Sequence, residues 1–193
     1  ADLVRRDFTI GAMAIRLPSK TFVDPHQGFD DLIAGRIRTP GTAADSFSDD
    51  PLRMMRAARF TSQLGLDPVP EVEAAMTAMA DRIEIISAER VQVELVKLIT
   101  GIDPVAGIDL LVRTGIADHV LPEVSGLQLE TDEHHRHKDV YQHSLTVLRQ
   151  AVELEGRYAE KQREAGMADD DPQRLRVPDF TVRFAALMHD VGK

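Results

Sequence analysis

Arginines recur at every third position from Arg53 onward, directly after a pair of aspartates. The segment reads Asp49-Asp50-Pro51-Leu52-Arg53-Met54-Met55-Arg56-Ala57-Ala58-Arg59-Phe60. A carboxylate accepts a hydrogen bond from an exocyclic amine, whereas a guanidinium donates two parallel bonds to ring acceptors. Asp50 and Arg53 could therefore read the edge of a nucleobase. Arg56 and Arg59 follow one and two helical turns later and would suit phosphates.

A salt-bridged amphipathic helix is the alternative interpretation of this segment, because Leu52, Met55 and Phe60 could face a core while the arginines face water.

Two further segments carry charges beside turn or strand patterns, Arg5-Arg6-Asp7-Phe8-Thr9-Ile10 and Asp24-Pro25-His26-Gln27-Gly28-Phe29-Asp30-Asp31-Leu32. Taken alone, the first is typical of an exposed charge cluster and the second of a turn between elements. Their order along the chain gives them more weight, as described below.

The elements that must position these side chains are a hairpin followed by helices. Apolar residues alternate from Phe8 to Ala14, which predicts a strand, and Pro18-Ser19-Lys20 predicts a turn into a second strand over Thr21 to Val23. Helices are predicted from Pro51 to Leu64 and at about 70–81, 88–100, 104–114, 140–154 and 179–189. The charged segment 155–176 is predicted to be a solvated loop, in which 157–165 could add a helical turn or two.

Composition limits the classes of protein that fit. The chain has 193 residues with 43% hydrophobic and 28% charged residues, which suits a folded protein with one large or two small domains. It has no cysteine, which excludes disulfides and thiolate metal sites. No segment approaches the roughly 18 apolar residues of a membrane span. The expected location is the cytoplasm, with no membrane partner.

The net charge of −9 argues against a wholly basic nucleic-acid coat. The acidity is not uniform, however, because residues 1–60 have a balance of +1 and residues 61–193 a balance of −10. Any contact with nucleic acid is therefore expected to be a local patch that uses the arginines near the front of the chain.

Four motifs occur in series along the chain. They are Arg-Arg-Asp-Phe-Thr-Ile-x-Ala from Arg5, Asp-Pro-x-x-Gly-x-x-Asp-Leu from Asp24, Asp-Pro-Leu-Arg-x-x-Arg-Ala-x-Arg-Phe from Asp50, and Ser87-Ala88-Glu89-Arg90-Val91 with Glu94-Leu95-x-Lys97. Together they resemble the bacterial tRNA nucleotidyltransferase (CCA-adding) and poly(A) polymerase family. The motifs extend over about half of the chain, and together they are far more specific than any one of them.

The resemblance implies roles for individual residues. The incoming nucleotide would be held by Arg6, and the base of ATP or CTP would be read by Asp50 and Arg53. The two later arginines that contact the nucleotide fall on Arg56 and Arg59. The motif that contains Glu89, Arg90 and Glu94 resembles one that braces neck helices against this site, so its expected role is structural.

Two positions depart from the family pattern. Gly11 stands where the family usually has Asn, and Asp49 where it usually has Glu. The first could loosen a backbone or phosphate contact, and the second shortens a side chain by one methylene. Neither changes the Asp50 and Arg53 pair.

Nucleotidyl transfer also needs Mg²⁺, which closely spaced carboxylates hold to align the 3′-hydroxyl and neutralise the pyrophosphate. In the family these ligands lie in an Asp-x-Asp segment after a Gly-rich turn, and that combination is not present in this chain. The chain is therefore expected to be a piece of a longer protein, to contain no catalytic residue of the transfer step, and to be inactive alone.

The late doublet His189-Asp190, with His143 before it, resembles the HD superfamily of metal-dependent phosphohydrolases. The resemblance implies His143, His189 and Asp190 as ligands of a divalent metal. Such a ligand set suits Mn²⁺, Fe, Ni²⁺ or Mg²⁺ better than Zn²⁺. The alternative is a capped helix end with a buried histidine. The remaining histidines of this region, His134, His135 and His137, are expected to lie on the surface.

These resemblances predict a mainly α fold in three parts: residues 1–47 as the C-terminal part of a mixed α/β nucleotidyltransferase head, 48–125 as a helical neck, and 126–193 as the start of an all-α HD domain. The implied partners are tRNA, ATP and CTP. Poly(A) synthesis, an HD-type nucleotide phosphohydrolase, and a nucleotide- or RNA-binding module without catalysis remain as alternatives to CCA addition.

Overall fold

The structure, a computed structural model, describes residues 2–129, 140–172 and 174–191. The α-helices in these ranges are α1 (Gly28–Ile33), α2 (Ala43–Asp49), α3 (Leu52–Leu64), α4 (Pro70–Ala78), α5 (Ala88–Ile99), α6 (Pro104–Arg113), α7 (Ala117–Val120), α8 (Pro122–Gly126), α9 (Val140–Glu164) and α10 (Phe180–Met188). The prediction of a mainly helical protein is confirmed. Among these helices, none combines the length and apolar character needed to cross a bilayer.

The strands are few and short. Strand β1 (Ala14–Arg16) pairs antiparallel with β2 (Thr21–Val23), and β3 (Arg36–Ile37) pairs parallel with β4 (Asp67–Pro68). The predicted hairpin is thus confirmed at its turn and at its second strand.

The first strand begins later than the alternation of apolar residues predicted. Residues Thr9–Gly11 form a 3₁₀ turn, in which the amide of Gly11 donates to the carbonyl of Phe8 at 3.0 Å. The turn is held because the Thr9 hydroxyl donates to the buried carboxylate of Asp31 at 2.7 Å. A long-range side-chain bond therefore overrides a strand pattern that Gly11 had already weakened.

The Asp31 carboxylate connects several elements within residues 2–38 by hydrogen bonds and ion pairs. Its side chain is fully buried, and it accepts bonds from Arg36 Nε at 3.1 Å and from Arg38 Nε at 2.9 Å. Both arginines lie at β3, whereas Asp31 lies on α1. The carboxylate thereby joins the 3₁₀ turn, α1 and β3 into one unit.

The start of α1 is capped by Asp24, which accepts the amides of Gly28 at 2.8 Å and Phe29 at 2.9 Å. The bond from Phe29 is the largest of several that lower the pKa of Asp24, against a smaller opposing effect of desolvation. A Cβ at Gly28 would lie 2.0 Å from the Thr9 carbonyl oxygen, so the close approach of α1 to this turn requires glycine.

The helical core is built around α3, which packs against α5 and α6. Its predicted boundaries are confirmed, since Pro51 precedes its first residue and Gly65 ends it with a φ of 64°. Close packing depends on Gly107 of α6, where a Cβ would lie 2.9 Å from the Ala58 carbonyl oxygen. The Ser62 hydroxyl also donates to the Leu98 carbonyl at 2.6 Å and ties α3 to α5.

Helix α2 lies in a region for which the sequence predicted no helix. Thr42 caps it by accepting the amide of Asp45 at 3.1 Å, and Phe47 anchors it in the core with no exposed surface. The pattern of Thr followed three residues later by an acidic side chain is a capping signal that could have indicated this helix.

The prediction of a loop over residues 155–176 is wrong for its first part, because α9 continues to Glu164. Two polar residues there are buried rather than solvated. The Glu155 carboxylate accepts from Arg183 Nε at 2.7 Å, and Gln162 Oε1 accepts the amide of Leu175 at 2.7 Å. Composition alone suggested solvent exposure, whereas these partners satisfy the polar groups inside the fold.

Candidate nucleotide-binding site and histidine–aspartate cluster

Asp50 lies at the start of α3 and is held from two sides. Its Oδ1 accepts the amide of Leu52 at 3.2 Å, and its Oδ2 accepts from Arg90 Nη2 at 3.1 Å. Helix α5, which carries Arg90, therefore contacts the residue that the sequence predicts to bind a nucleobase.

Arg53 lies three residues further along and is anchored by residues that sequence reasoning missed. Its Nη1 donates to the Ser46 hydroxyl at 2.8 Å, and its Nη2 donates to the backbone carbonyl of Arg5 at 2.7 Å. The guanidinium thus connects α2, α3 and the N-terminal segment. A contact to a backbone carbonyl carries no sequence signal, since any residue offers that oxygen.

Arg56 and Arg59 follow Arg53 along α3, and each forms an ion pair with a carboxylate. Arg56 Nη2 lies 2.7 Å from Asp7 Oδ2, and Arg59 Nη1 lies 3.0 Å from Glu94 Oε2. Arg59 is buried, which lowers the pKa of its guanidinium, while Glu94 opposes that effect. The three regularly spaced arginines therefore all lie on α3, but the third, Arg59, is buried.

Two of the arginines of α3 have a guanidinium nitrogen without a hydrogen-bond acceptor among the described residues. Arg56 Nε and Arg59 Nε are buried, and neither has a hydrogen-bond partner in the part of the chain that the structure describes. Buried guanidinium donors without partners are costly, so they are candidates for binding an anionic or polar ligand. Arg6, by contrast, is exposed, and among the described residues its ion-pair partner is Asp2, at 3.6 Å.

Helix α5 braces the site through two of the residues that the fourth motif predicted. Glu94 pairs with Arg59 with both side chains at least nine-tenths buried, and Arg90 pairs with Asp50 nearer the surface. Glu89 makes no ion pair within the described residues, and Lys97 lies 3.9 Å from Glu94. The ion pair of Glu94 with Arg59 is buried, whereas the ion pair of Arg90 with Asp50 is partly exposed.

The structure brings His143, His189 and Asp190 together from two helices. His143 lies on α9 and the doublet follows α10, and one potential ligand atom from each residue lies within 4.8 Å of the others. The two imidazole Nε2 atoms lie 3.7 Å and 3.1 Å from Asp190 Oδ2. Two imidazoles and a carboxylate on one side of a divalent ion are a chemically suitable donor set.

The second nitrogen of His189 supports this arrangement, because its Nδ1 lies 2.9 Å from the Ala186 carbonyl oxygen. A proton on Nδ1 would leave Nε2 free to ligate, as in many metal sites. The expectations for His134, His135 and His137 lie outside the described residues.

Models of two protein families match the chain. Residues 1–38 match the poly A polymerase head domain, and residues 65–127 match the probable RNA- and SrmB-binding site of polymerase A. The second range begins directly after α3 and includes α4 to α8, whereas residues 39–64, which contain Asp50 and the arginines of α3, lie between the two matched ranges.

Individual relatives agree with the family models. A CCA-adding enzyme of Levilactobacillus brevis is 48% identical over 60% of this chain and 29% of its own length. An A-adding tRNA nucleotidyltransferase of Deinococcus radiodurans is 34% identical over 100% of this chain and 40% of its own length. The chain therefore spans less than half of either relative.

A Bacillus stearothermophilus CCA-adding enzyme, solved in complex with CTP, superposes with a TM-score of 0.63. It is 29% identical, and the match covers 100% of this chain and 47% of that one. The motifs, the family models and this structural match agree with one another. The chain belongs to the bacterial tRNA nucleotidyltransferase and poly(A) polymerase family.

Proposed function

We propose that this chain supplies the nucleotide-reading part of an enzyme that adds CMP and AMP to the 3′ end of tRNA. The observation that carries the proposal is the placement of Asp50 and Arg53 at one helix start, each anchored by residues from other elements. The names of the relatives, CCA-adding and A-adding, support the same reaction class.

Asp50 and Arg53 together match the feature that cytosine and adenine share. Each of these bases presents an exocyclic amine beside a ring nitrogen acceptor, whereas uracil and guanine present a carbonyl at the amine's position. An ionised carboxylate only accepts, and a guanidinium only donates. We therefore assign the amine to Asp50 and the ring acceptors to Arg53.

The triphosphate is assigned to the other arginines. Arg6 is exposed and weakly paired, and Arg56 and Arg59 keep buried Nε donors without partners among the described residues. Guanidinium groups bind phosphate oxygens with paired, charge-assisted bonds. Because Arg59 is buried, we expect it to act at the rear of the site and Arg6 at its entrance.

The division into a head part (1–47), a neck (48–125) and the start of an HD domain (126–193) remains part of the proposal. The two family-model ranges support the first two parts.

Mg²⁺ would activate the attacking 3′-hydroxyl and neutralise the leaving pyrophosphate. We assign no residue of this chain to that ion, so the residues here bind and orient the nucleotide.

The full-length protein that carries this chain tests the proposal with radiolabelled CTP or ATP and a tRNA that lacks its 3′ end. We expect label to be incorporated and Arg53→Ala to lower kcat/KM by about 100-fold, as expected when a hydrogen-bonding partner of the base is lost. Arg113→Ala, which removes ion pairs with Glu73 and Asp109, two residues to which no role in nucleotide binding is assigned, is the control and should keep the activity.

Three outcomes of this assay are informative. Incorporation that is equal in Arg53→Ala and in the control contradicts the assignment of base reading to Arg53. Continued addition of A alone indicates poly(A) synthesis or A addition. ATP binding that depends on Arg53 without any incorporation indicates a binding module without catalysis.

The cluster of His143, His189 and Asp190 supports a second candidate function, a divalent-metal site of the HD phosphohydrolase type. The metal would polarise a phosphoryl oxygen and supply a bound water as the nucleophile. Within this chain, His189 and Asp190 would be held by the end of α10 and His143 by α9.

Titration with Mn²⁺, followed by electron paramagnetic resonance and by hydrolysis of 2′,3′-cyclic nucleotides, tests the second function. We expect one Mn²⁺ to bind and His189→Ala to abolish both binding and hydrolysis. His119→Ala is the matched control, since its imidazole pairs with Glu84 outside the cluster. Equal Mn²⁺ affinity in both variants would show that the cluster is not the metal site.

A further inference from the structure

We propose that Arg90 is a positioning residue that sets base selectivity by fixing the orientation of the Asp50 carboxylate. The proposal rests on the proposed function, in which Asp50 reads the exocyclic amine. It gives Arg90 a role beyond bracing the helices, and it predicts an effect on the choice between bases rather than on nucleotide affinity alone.

The geometry fixes both oxygens of Asp50 from separate elements. The amide of Leu52 holds Oδ1 at 3.2 Å, and Arg90 Nη2 lies 3.1 Å from Oδ2 and 3.5 Å from Oδ1. The first contact belongs to the same helix start as Asp50, whereas the second comes from α5. With both contacts in place, rotation of the carboxylate plane would break at least one bond.

A fixed carboxylate discriminates better than a rotating one. Each carboxylate oxygen has about two acceptor positions, so one on Oδ2 remains open after these three contacts. This open position has a defined direction and can only accept a hydrogen bond. A cytosine or adenine amine satisfies it, whereas a uracil or guanine carbonyl would face it unpaired.

Without Arg90, the Asp50 side chain can turn away from the base and leave room for water between the carboxylate and a carbonyl. Water can bridge two acceptors because it donates twice, and such a bridge costs little compared with a direct bond. Binding of uracil nucleotides would then be penalised less, so the main expected change is a loss of discrimination.

Exposure separates this role from structural bracing. The side chains of Arg90 and Asp50 are 52% and 31% exposed, and an ion pair this exposed contributes little to stability. Glu94, one helical turn further along α5, makes the buried pair with Arg59. Structural bracing by α5 therefore falls mainly on Glu94, and loss of Arg90 is expected to leave the fold intact.

Calorimetric titration of the full-length protein with CTP and with UTP tests this proposal through the ratio of the two affinities. We expect Arg90→Ala to lower the CTP preference about tenfold, and Arg90→Lys, which keeps a donor, to restore part of it. Arg113→Ala removes a similarly exposed arginine that pairs with Glu73 and Asp109 rather than with Asp50, so it should leave the ratio unchanged. Thermal unfolding of each variant reports whether it folds.

Asp50→Asn separates failure of this proposal from failure of the proposed function. If Asp50→Asn lowers the ratio and a folded Arg90→Ala does not, Arg90 is not a positioning residue. If Asp50→Asn leaves the ratio unchanged, Asp50 does not read the base and the proposed function itself fails. If Arg90→Ala still lowers the ratio in the Asp50→Asn background, Arg90 acts independently of Asp50, and the proposal is overturned.

Discussion

Replacement of Arg183 by alanine is expected to lower the free energy of unfolding by about 3–5 kcal/mol. Arg183 Nε donates to Glu155 at 2.7 Å, and its Nη1 donates to the carbonyls of Ile99 at 3.0 Å and Gly101 at 2.6 Å. Arg183, which lies on α10, therefore donates hydrogen bonds to backbone carbonyls at and just after the C-terminal end of α5. Truncation would leave a buried carboxylate and two carbonyls without their partner.

Urea denaturation followed by circular dichroism measures this effect, with Arg157→Ala as the matched control. Arg157 also pairs with a glutamate of α9, but the two side chains are 71% and 54% exposed, so its loss should cost less than about 1 kcal/mol. If both variants unfold at the same urea concentration, the Arg183 contacts do not stabilise the junction between α5 and α10. Arg183→Lys, which keeps the charge, should fall between them.

Replacement of Asp31 by alanine is expected to lower the free energy of unfolding by about 2–4 kcal/mol. The carboxylate has no exposed surface and serves Thr9, Arg36 and Arg38 together. The arginine side chains are 49% and 40% exposed, so they recover hydration when the partner is lost, and the effect stays below that of Arg183.

The neighbouring Asp30 provides the control for Asp31, because it lies exposed on the same helix. Asp30→Ala should change the unfolding free energy by less than about 0.5 kcal/mol. Asp31→Asn keeps the shape and removes the charge, so it should recover only part of the loss. A variant of Asp31 as stable as the variant of Asp30 would contradict the role of this carboxylate in joining α1 to β3.

Local signals predicted the helices well where a start and a stop lie close to an apolar pattern. Pro51 and Gly65 bracket α3, and Asp179 caps α10 by accepting the amide of Thr181 at 2.8 Å. The extension of α9 could not be predicted in this way, because its buried polar residues depend on partners distant in sequence. Glu155 is satisfied by Arg183, which lies 28 residues away.

The candidate sites depended on resemblance more than on spacing. His143 and His189 are 46 positions apart, and only the packing of α9 on α10 brings their rings to 5.1 Å. The contacts of Arg53 to Ser46 and to the Arg5 carbonyl, and of Arg90 to Asp50, follow from the tertiary fold. The residue types indicated which ligand chemistry is possible, whereas the packing of the helices determines which side chains contact one another.

The central claim is that Asp50 and Arg53 bind the edge of cytosine or adenine. A crystal structure of the full-length protein with CTP tests it most directly. We expect the cytosine amine to lie within about 3 Å of an Asp50 carboxylate oxygen, and Arg53 to lie within about 3 Å of the ring nitrogen or carbonyl. A base bound away from both side chains, in a structure with well-defined CTP, would contradict the claim.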